Sequence, residues 1–367
     1  MFIKVFVNSK EGTLGNDPEL RSIIQHASKN NPRYLFRVWS SNSGGDSTLN
    51  TTSAVTPHAF APDYNTGHNS IFEMESKWFI KNLIGHFRAQ RIPSEFSSWT
   101  ASPVFAIRVA FHFAERKRPN VHIAIVDTEK LKDTNTVLSV LSTEPVFRSH
   151  SPDHVEMILD IDYEYLIHGV VDGEAYKAVA LTALSECGLS DYFSGMRGDP
   201  APYSNWIGRH RIFKLPGPAM PLSPTEAKSL INIARLYGKP SRIPFFVALV
   251  CCKLRPGLLT KHDLSEINKI IKLLGGHNQI PDWSASRGVF CNNIFDSKYD
   301  DGRQMQIIMR ALNDYCLGRG ARHVFLTTWN CSSVNSLHWV LTTVILLSEV
   351  VPKYTNISSQ LSRWQPN

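Results

Sequence analysis

Between Pro32 and Ser40 the chain alternates strictly: Tyr34, Phe36 and Val38 fall on one side of an extended segment, and Leu35, Arg37 and Trp39 on the other. That spacing predicts a strand with Arg37 and Trp39 on one face. Phe96-Ser97-Ser98-Trp99-Thr100 is aromatic and hydroxyl-rich, which suits a second, short strand. Ser102-Pro103 follows with the pattern of a helix start, serine as N-cap and proline at the first helical position. Val104, Ile107, Ala110, Phe111 and Ala114 then recur at helical spacing as a core-facing stripe. Val121–Asp127 reads as a buried strand and Glu164–Val171 as another. Phe72, Trp78, Phe79, Leu83 and Phe87 predict an amphipathic helix over Ile71–Ala89. Met1–Gly12 opens with a short alternating strand pattern, Leu131–Leu141 is mixed, and Pro152–Asp160 reads as a short helix. Ala175–Leu181 fits helix and strand equally well.

Lys214–Pro224 carries four prolines and a glycine and is the clearest linker in the chain. Beyond it Ser223-Pro-Thr-Glu226 has the capping-box pattern. Helical spacing then recurs over Phe245–Leu254, Lys261–Leu274, Arg303–Cys316 and Trp339–Val351, with Val324–Trp329 as a candidate strand and no internal repeat. The expectation is an α+β domain over 1–217 and a mostly helical accessory domain over 218–367, in line with a length of 367 residues.

A hydrophobic content of 43% supplies a sizeable core, and 19% charged residues argues against a disordered chain. The net charge of +7 favours anionic partners such as nucleotides, nucleic acid or acidic surfaces. No basic run exceeds Arg116-Lys117-Arg118, which argues against a dedicated nucleic-acid binder. The 6 cysteines show no C-x-x-C spacing, so neither a zinc ribbon nor a thioredoxin-type site is indicated. The start lacks the apolar core of a signal peptide, and Trp339–Val351, the longest apolar run, is too short to span a bilayer. The corresponding expectation is an intracellular, cytoplasmic location with no membrane span; nothing in the sequence sets the oligomeric state.

Candidate chemistry rests on three polar points. Arg37 sits at a strand centre, Ser98 near the end of a second strand, and Glu164 at the opening of a third. Leu35-Phe36-Arg37, then Phe96 to Ser102 with its following helix, then Asp162-Tyr163-Glu164-Tyr165-Leu166 running into Gly169-Val170-Val171, occur in that order. In these motifs the chain resembles the Arg–Ser–Glu, enterotoxin-like branch of the ADP-ribosyltransferase superfamily over about residues 33 to 185, and the Ser98-Trp99-Thr100 wording is similar to poorly characterised fungal members. The resemblance implies a split β-sandwich core with flanking helices and a mono-ADP-ribosyltransferase or NAD glycohydrolase activity.

By that resemblance Glu164 would stabilise positive charge on the nicotinamide ribose, as hydrogen bonds to a sugar 2-hydroxyl do in glycoside hydrolysis. Ser98 would orient Glu164, and Arg37, with its planar fork, would hold the phosphates or adenosine ribose of NAD. Thr100 belongs to the same Ser-Thr-Ser-like segment. Trp39, Trp99 and Tyr165 are candidates to stack on the nicotinamide, against the alternative that they are core. Asp162 stands two before Glu164, where arginine-modifying members carry Glu and others Gln, so a protein or nucleic-acid acceptor, or water, stays open.

Two other readings compete. Asp160, Asp162 and Glu164 alternate, which on a strand aligns three carboxylates for Mg²⁺ or Mn²⁺, or merely makes a solvated acidic edge. A catalytically silent version of the fold would bind a nucleotide or protein partner. The 14 histidines show no H-E-x-x-H pattern and read mostly as surface or capping groups. No Gly-x-Gly-x-x-Gly or Walker loop is present, and no nucleophile elbow.

Overall fold

The structure is a computed structural model that describes residues 12–43, 48–88, 90, 92–155, 163–194, 222–252, 302–309 and 312. The chain divides into two compact units, Met1–Cys316 and Leu317–Asn367, and the second lies outside the described residues. So do the expected opening strand over 1–11, most of the Lys214–Pro224 linker, and the elements expected over Lys261–Leu274, Val324–Trp329 and Trp339–Val351.

The first unit is α+β. Six antiparallel strands form one sheet in the order β5 (Thr136–Ser139), β6 (Glu164–His168), β3 (Phe96–Thr100), β1 (Tyr34–Trp39), β4 (His122–Asp127) and β8 (Tyr176–Ala180). A second, two-stranded sheet pairs β2 (Ala54–Val55) with β7 (Val171–Asp172). Most neighbours are paired along their length, as β1 and β4 are from Tyr34↔Asp127 to Trp39↔His122. The β1–β3 junction is different, because the two strands share the single pair Phe36↔Thr100. The sheet therefore pinches in its middle, between two well-laddered halves.

The pleat sorts side chains to two faces. On one face, Tyr34, Phe36, Ile123, Ile125 and Val179 pack with helix α3 (Pro103–Glu115) in the largest apolar cluster. The other half of that face carries Phe96, Leu138 and Leu166, covered by α1 (Pro18–Ala27), α2 (Ser76–Phe87) and α4 (Glu144–His150). The opposite face holds Leu35, Trp39, Trp99, Ala124, Val126, Tyr165 and Tyr176.

Local signals set the helix starts. Ser102 Oγ accepts from the Phe105 amide at 3.2 Å, with Pro103 in the first turn. The stripe on α3 is buried through Phe111, whereas Ala114, in the last turn, is exposed. Ile71–Glu73 forms a separate 3₁₀ turn, so the helix expected from Ile71 begins at Ser76. Ala175–Leu181 resolves into β8, drawn into the sheet by its ladder with β4, followed directly by α5 (Leu181–Glu186) and α6 (Leu189–Tyr192).

The helices past residue 217 share the same core. Helix α7 (Pro224–Arg235) starts with the expected capping box, Ser223 Oγ accepting from the Glu226 amide and Glu226 Oε2 from the Ser223 amide. It runs into α8 (Gly238–Cys251), and Phe245 of α8 meets Phe36 of β1 with ring centroids 6.1 Å apart. Tyr237, between the two helices, donates its hydroxyl to the Ile123 carbonyl at 3.1 Å. Among the described residues, the apolar cluster around β1, β4 and α3 continues into α7 and α8.

One buried carboxylate ties α2, β3 and β6 together. Glu95 is fully buried and accepts from the His68 amide (2.9 Å), His68 Nδ1 (2.9 Å), Trp78 Nε1 (3.1 Å) and His168 Nε2 (3.1 Å). Its own amide donates to Asn82 Oδ1 of α2 at 3.0 Å, and its carbonyl accepts from the Gly169 amide at 3.1 Å. Gly169 has φ +88°, and a Cβ there would fall 2.7 Å from the Asn135 amide nitrogen, so only glycine makes this turn out of β6. Burial works against the Glu95 charge, and the bonds from His168 and His68 outweigh it, holding the carboxyl below its usual range.

Glu95→Ala should lower the unfolding free energy by about 3–5 kcal/mol at pH 7 in urea titrations, since several buried donors lose their acceptor together. Because the folded pKa is depressed, this stabilisation is present above the unfolded carboxylate value and is lost as pH falls through the folded one. A loss below about 1 kcal/mol would show that the donors find other partners.

Candidate active site

Two arginines, one just before β1 and one on it, are held in different ways. Arg33, just before the strand, is buried and saturated: Nε and Nη2 donate to the two oxygens of Asp127 at 2.9 Å each, and Nη1 pairs with Glu129 at 2.8 Å. Arg37, four residues on, has neutral acceptors instead. Its Nη1 donates to the Ser98 carbonyl at 2.6 Å and its Nη2 to Asn50 Oδ1 at 3.3 Å, while the buried Nε has no partner among the described residues. The bond to Ser98 lies at the pinch, where β1 and β3 stop exchanging backbone bonds. Burial pushes the Arg37 pKa down, and Tyr176 and Glu164 act in the opposite direction. A guanidinium fixed by neutral groups keeps its charge for an anion.

Ser98 and Glu164 share the sheet face of Phe96 and Leu166, because Ser98 is the register partner of Leu166 and Thr100 of Glu164. They lie between the two apolar clusters of that face, and Arg37, Ser98 and Glu164 are each half-buried. Ser98 Oγ lies 2.6 Å from His86 Nε2, and the Glu164 carboxyl is near enough for Ser98 to favour its anion. His86 Nδ1 is in turn 3.3 Å from Ser94 Oγ, which accepts from the Phe96 amide.

When Ser94 donates to His86 Nδ1 and His86 Nε2–H to Ser98 Oγ, the Ser98 hydroxyl hydrogen is left free to turn toward the Glu164 carboxylate. Burial and the Arg37 charge hold the His86 pKa down at about 4, so the imidazole is neutral at physiological pH. Burial lifts Glu164 to about 7; the Ser98 bond and the Arg37 charge pull the other way without overcoming it. The carboxyl is thus poised between its acid and its anion near neutrality.

The remaining expected site residues have other tasks. Trp39, 4% exposed, stacks on His122 at 3.9 Å and donates its indole N–H to the Tyr176 hydroxyl at 3.0 Å. Trp99, 1% exposed, donates to Ser97 Oγ at 2.9 Å and meets Tyr176 edge-on. Tyr165 is buried in the same cluster on the opposite face from Ser98 and Glu164. These three rings belong to the core, the alternative that the sequence leaves open for them. Thr100 is buried, and its hydroxyl accepts from the Ser102 amide at 3.1 Å, shaping the turn into α3. Asp162 and Asp160 lie outside the described residues, and among the described residues no cluster of His, Cys, Asp and Glu suits a metal ion.

His86 and Asn50 enter the site unannounced. His86 lies three residues after Leu83 and one before Phe87, so the helical period that predicts α2 already turns it inward. Asn50 belongs to the long polar segment Ser41–Asn69, whose length alone marks it as a candidate functional loop. A separate cavity of about 540 Å³, lined by Phe111, Arg118, Val121, His122, Leu181 and Ser185 among others, contains none of the site residues.

Residues 30–177 match a family model described as a domain of unknown function, DUF7587, and this stretch encloses Arg37, Asn50, His86, Ser98 and Glu164. No curated protein and no solved structure matches the chain. Among the described residues no helix is long and apolar enough to cross a membrane, and none of Cys187, Cys251 and Cys252 is in a disulfide.

The raised Glu164 pKa makes a stability prediction. The folded state holds this proton more tightly than the unfolded chain, so ionisation erodes stability as pH rises from the unfolded value of about 4.5 through about 7. Glu164→Gln should therefore match the native chain near pH 5 and exceed its stability at pH 8 by on the order of 2 kcal/mol. Parallel melting curves at every pH would show that Glu164 titrates normally.

Proposed function

We propose that the chain cleaves the nicotinamide–ribose bond of NAD and passes ADP-ribose to an acceptor or to water, as an ADP-ribosyltransferase or NAD glycohydrolase. The observation that carries this reading is the meeting of Arg37, Ser98 and Glu164 from three strands: Arg37 is bonded to the Ser98 carbonyl, and Ser98 and the Arg37 charge both act on the Glu164 carboxyl. The order of the three motifs in the sequence and the single-pair junction between β1 and β3, beside which Arg37 and Ser98 meet, add support.

In this reading ionised Glu164 accepts a hydrogen bond from the ribose 2′-hydroxyl and stabilises the positive charge that grows on the ring as nicotinamide leaves. Ser98 fixes the carboxylate rotamer, and neutral His86 fixes Ser98, so the group is oriented before substrate arrives. Arg37, held by neutral acceptors and with Nε unpaired among the described residues, fits the dinucleotide's phosphates. The acceptor, protein, nucleic acid or water, would be set in part by the residue two positions before Glu164 in the sequence, here Asp162, one methylene shorter than the Glu of arginine-modifying enzymes. The metal-dependent alternative depends on Asp160 and Asp162. A silent nucleotide-binding module would keep the Arg37 contacts without needing a carboxyl poised near neutrality.

Nicotinamide release by the purified chain, followed by chromatography, tests the reading. Glu164→Gln should reduce it by on the order of 10²–10³ with the fold intact, and in the native chain kcat/KM should rise with pH through about 7 as Glu164 ionises. Arg37→Lys should raise the KM for NAD far more than it changes the melting temperature. No release by the native chain, or release untouched by Glu164→Gln, would reject the proposal. Release that requires Mg²⁺ or Mn²⁺ would favour the acidic-strand alternative.

A further inference from the structure

The loop that supplies Asn50 is fixed more firmly than a connecting segment needs to be. Its turn closes through Thr51 N to the Ala54 carbonyl (2.9 Å) and Thr56 N to the Leu49 carbonyl (2.8 Å), and β2 is paired to β7. From the sheet, the Tyr176 hydroxyl donates to the Thr51 carbonyl at 3.0 Å, the same hydroxyl that accepts from Trp39. The Ala178 amide adds a weaker bond to the Thr52 carbonyl at 3.4 Å. Asn50 is 3% exposed and presents Oδ1 to Arg37 Nη2. The clamp thus delivers one amide oxygen to one guanidinium.

The chemical identity of that group matters. An aspartate of the same shape would form the charged pair that Asp127 forms with Arg33, and the cation would be neutralised in place. An amide accepts the same hydrogen bond while carrying no net charge, so it aims the fork and leaves the field intact. The Ser98 carbonyl does the same from the other side. The two acceptors lie on Nη1 and Nη2, and the buried Nε has no hydrogen-bond partner among the described residues.

Resting on the function proposed above, we infer that Asn50 is a positioning residue that orients Arg37 while keeping it uncompensated, and so sets the site's affinity for the dinucleotide's phosphates. Asn50 touches Arg37 rather than the reacting bond, and its effect is on binding first. Arg37 also stabilises the Glu164 anion, so a carboxylate at position 50 would reach the chemistry indirectly through that field.

The test compares native chain, Asn50→Asp and Asn50→Ala by calorimetric titration with ADP-ribose and by the pH profile of nicotinamide release. Asn50→Asp should weaken ADP-ribose at least tenfold, raise the KM for NAD more than it lowers kcat, and move the acid limb of kcat/KM to higher pH. Asn50→Ala, which removes the acceptor without adding charge, should weaken binding less and leave the limb where it is; it also serves if the aspartate variant fails to fold. Asn50→Asp binding within twofold of the native chain, or both variants weakening binding equally with no movement of the limb, would overturn the inference and leave the proposed function standing. A native chain that neither binds ADP-ribose nor releases nicotinamide would overturn both.

Discussion

The Glu95 carboxylate has no contact with solvent, and N–H groups from His68, Trp78 and His168 close on its two oxygens. An ion in that position is tolerable only because the donors are there when the chain folds; each would cost free energy if left alone. The arrangement therefore couples three pieces of backbone that are distant in sequence. It sets α2 against the start of β3 and the end of β6, and through the Gly169 turn it directs the chain on into β7. Every polar group of the candidate site except Arg37 and Asn50 sits on one of these elements or beside them.

The second constraint is the pinch between β1 and β3. A fully laddered junction would have used the Ser98 carbonyl for sheet bonding, leaving the Arg37 guanidinium without that acceptor. Opening the ladder after one pair frees the carbonyl and brings a cation from one face of the sheet toward a serine and a glutamate on the other. Arg33 shows what the same strand does when an arginine serves stability alone: two carboxylates compensate it fully. The site is thus electrostatically unfinished by design of its acceptors, with a cation held by neutral groups and a carboxyl lifted to about 7 beside it.

What the sequence made legible followed from short-range physics. Alternation located β1 and β4, and the Ser102-Pro103 and Ser223–Glu226 patterns located two helix starts, because caps and strand periods are settled within a few residues. The convergence of Arg37, Ser98 and Glu164 was suggested by motif order and resemblance. Trp39, Trp99 and Tyr165 pack into the core because of what the neighbouring strands and Tyr176 place against them, and such long-range packing is not legible in local sequence. His86, Asn50 and Glu95 were hidden for the same reason. A histidine near a helix end, an asparagine in a polar loop and a glutamate before a strand are ordinary in sequence, and only tertiary pairing gives each its partner.

The central claim is that Arg37 and Glu164 face one bound dinucleotide, with the phosphates on the first and the nicotinamide ribose on the second. A crystal structure of the Glu164→Gln chain soaked with NAD tests this directly. The account predicts phosphate oxygens within hydrogen-bonding distance of the Arg37 guanidinium and the ribose 2′-hydroxyl against residue 164. A nucleotide bound elsewhere, with Arg37 still held only by Ser98 and Asn50, would contradict it.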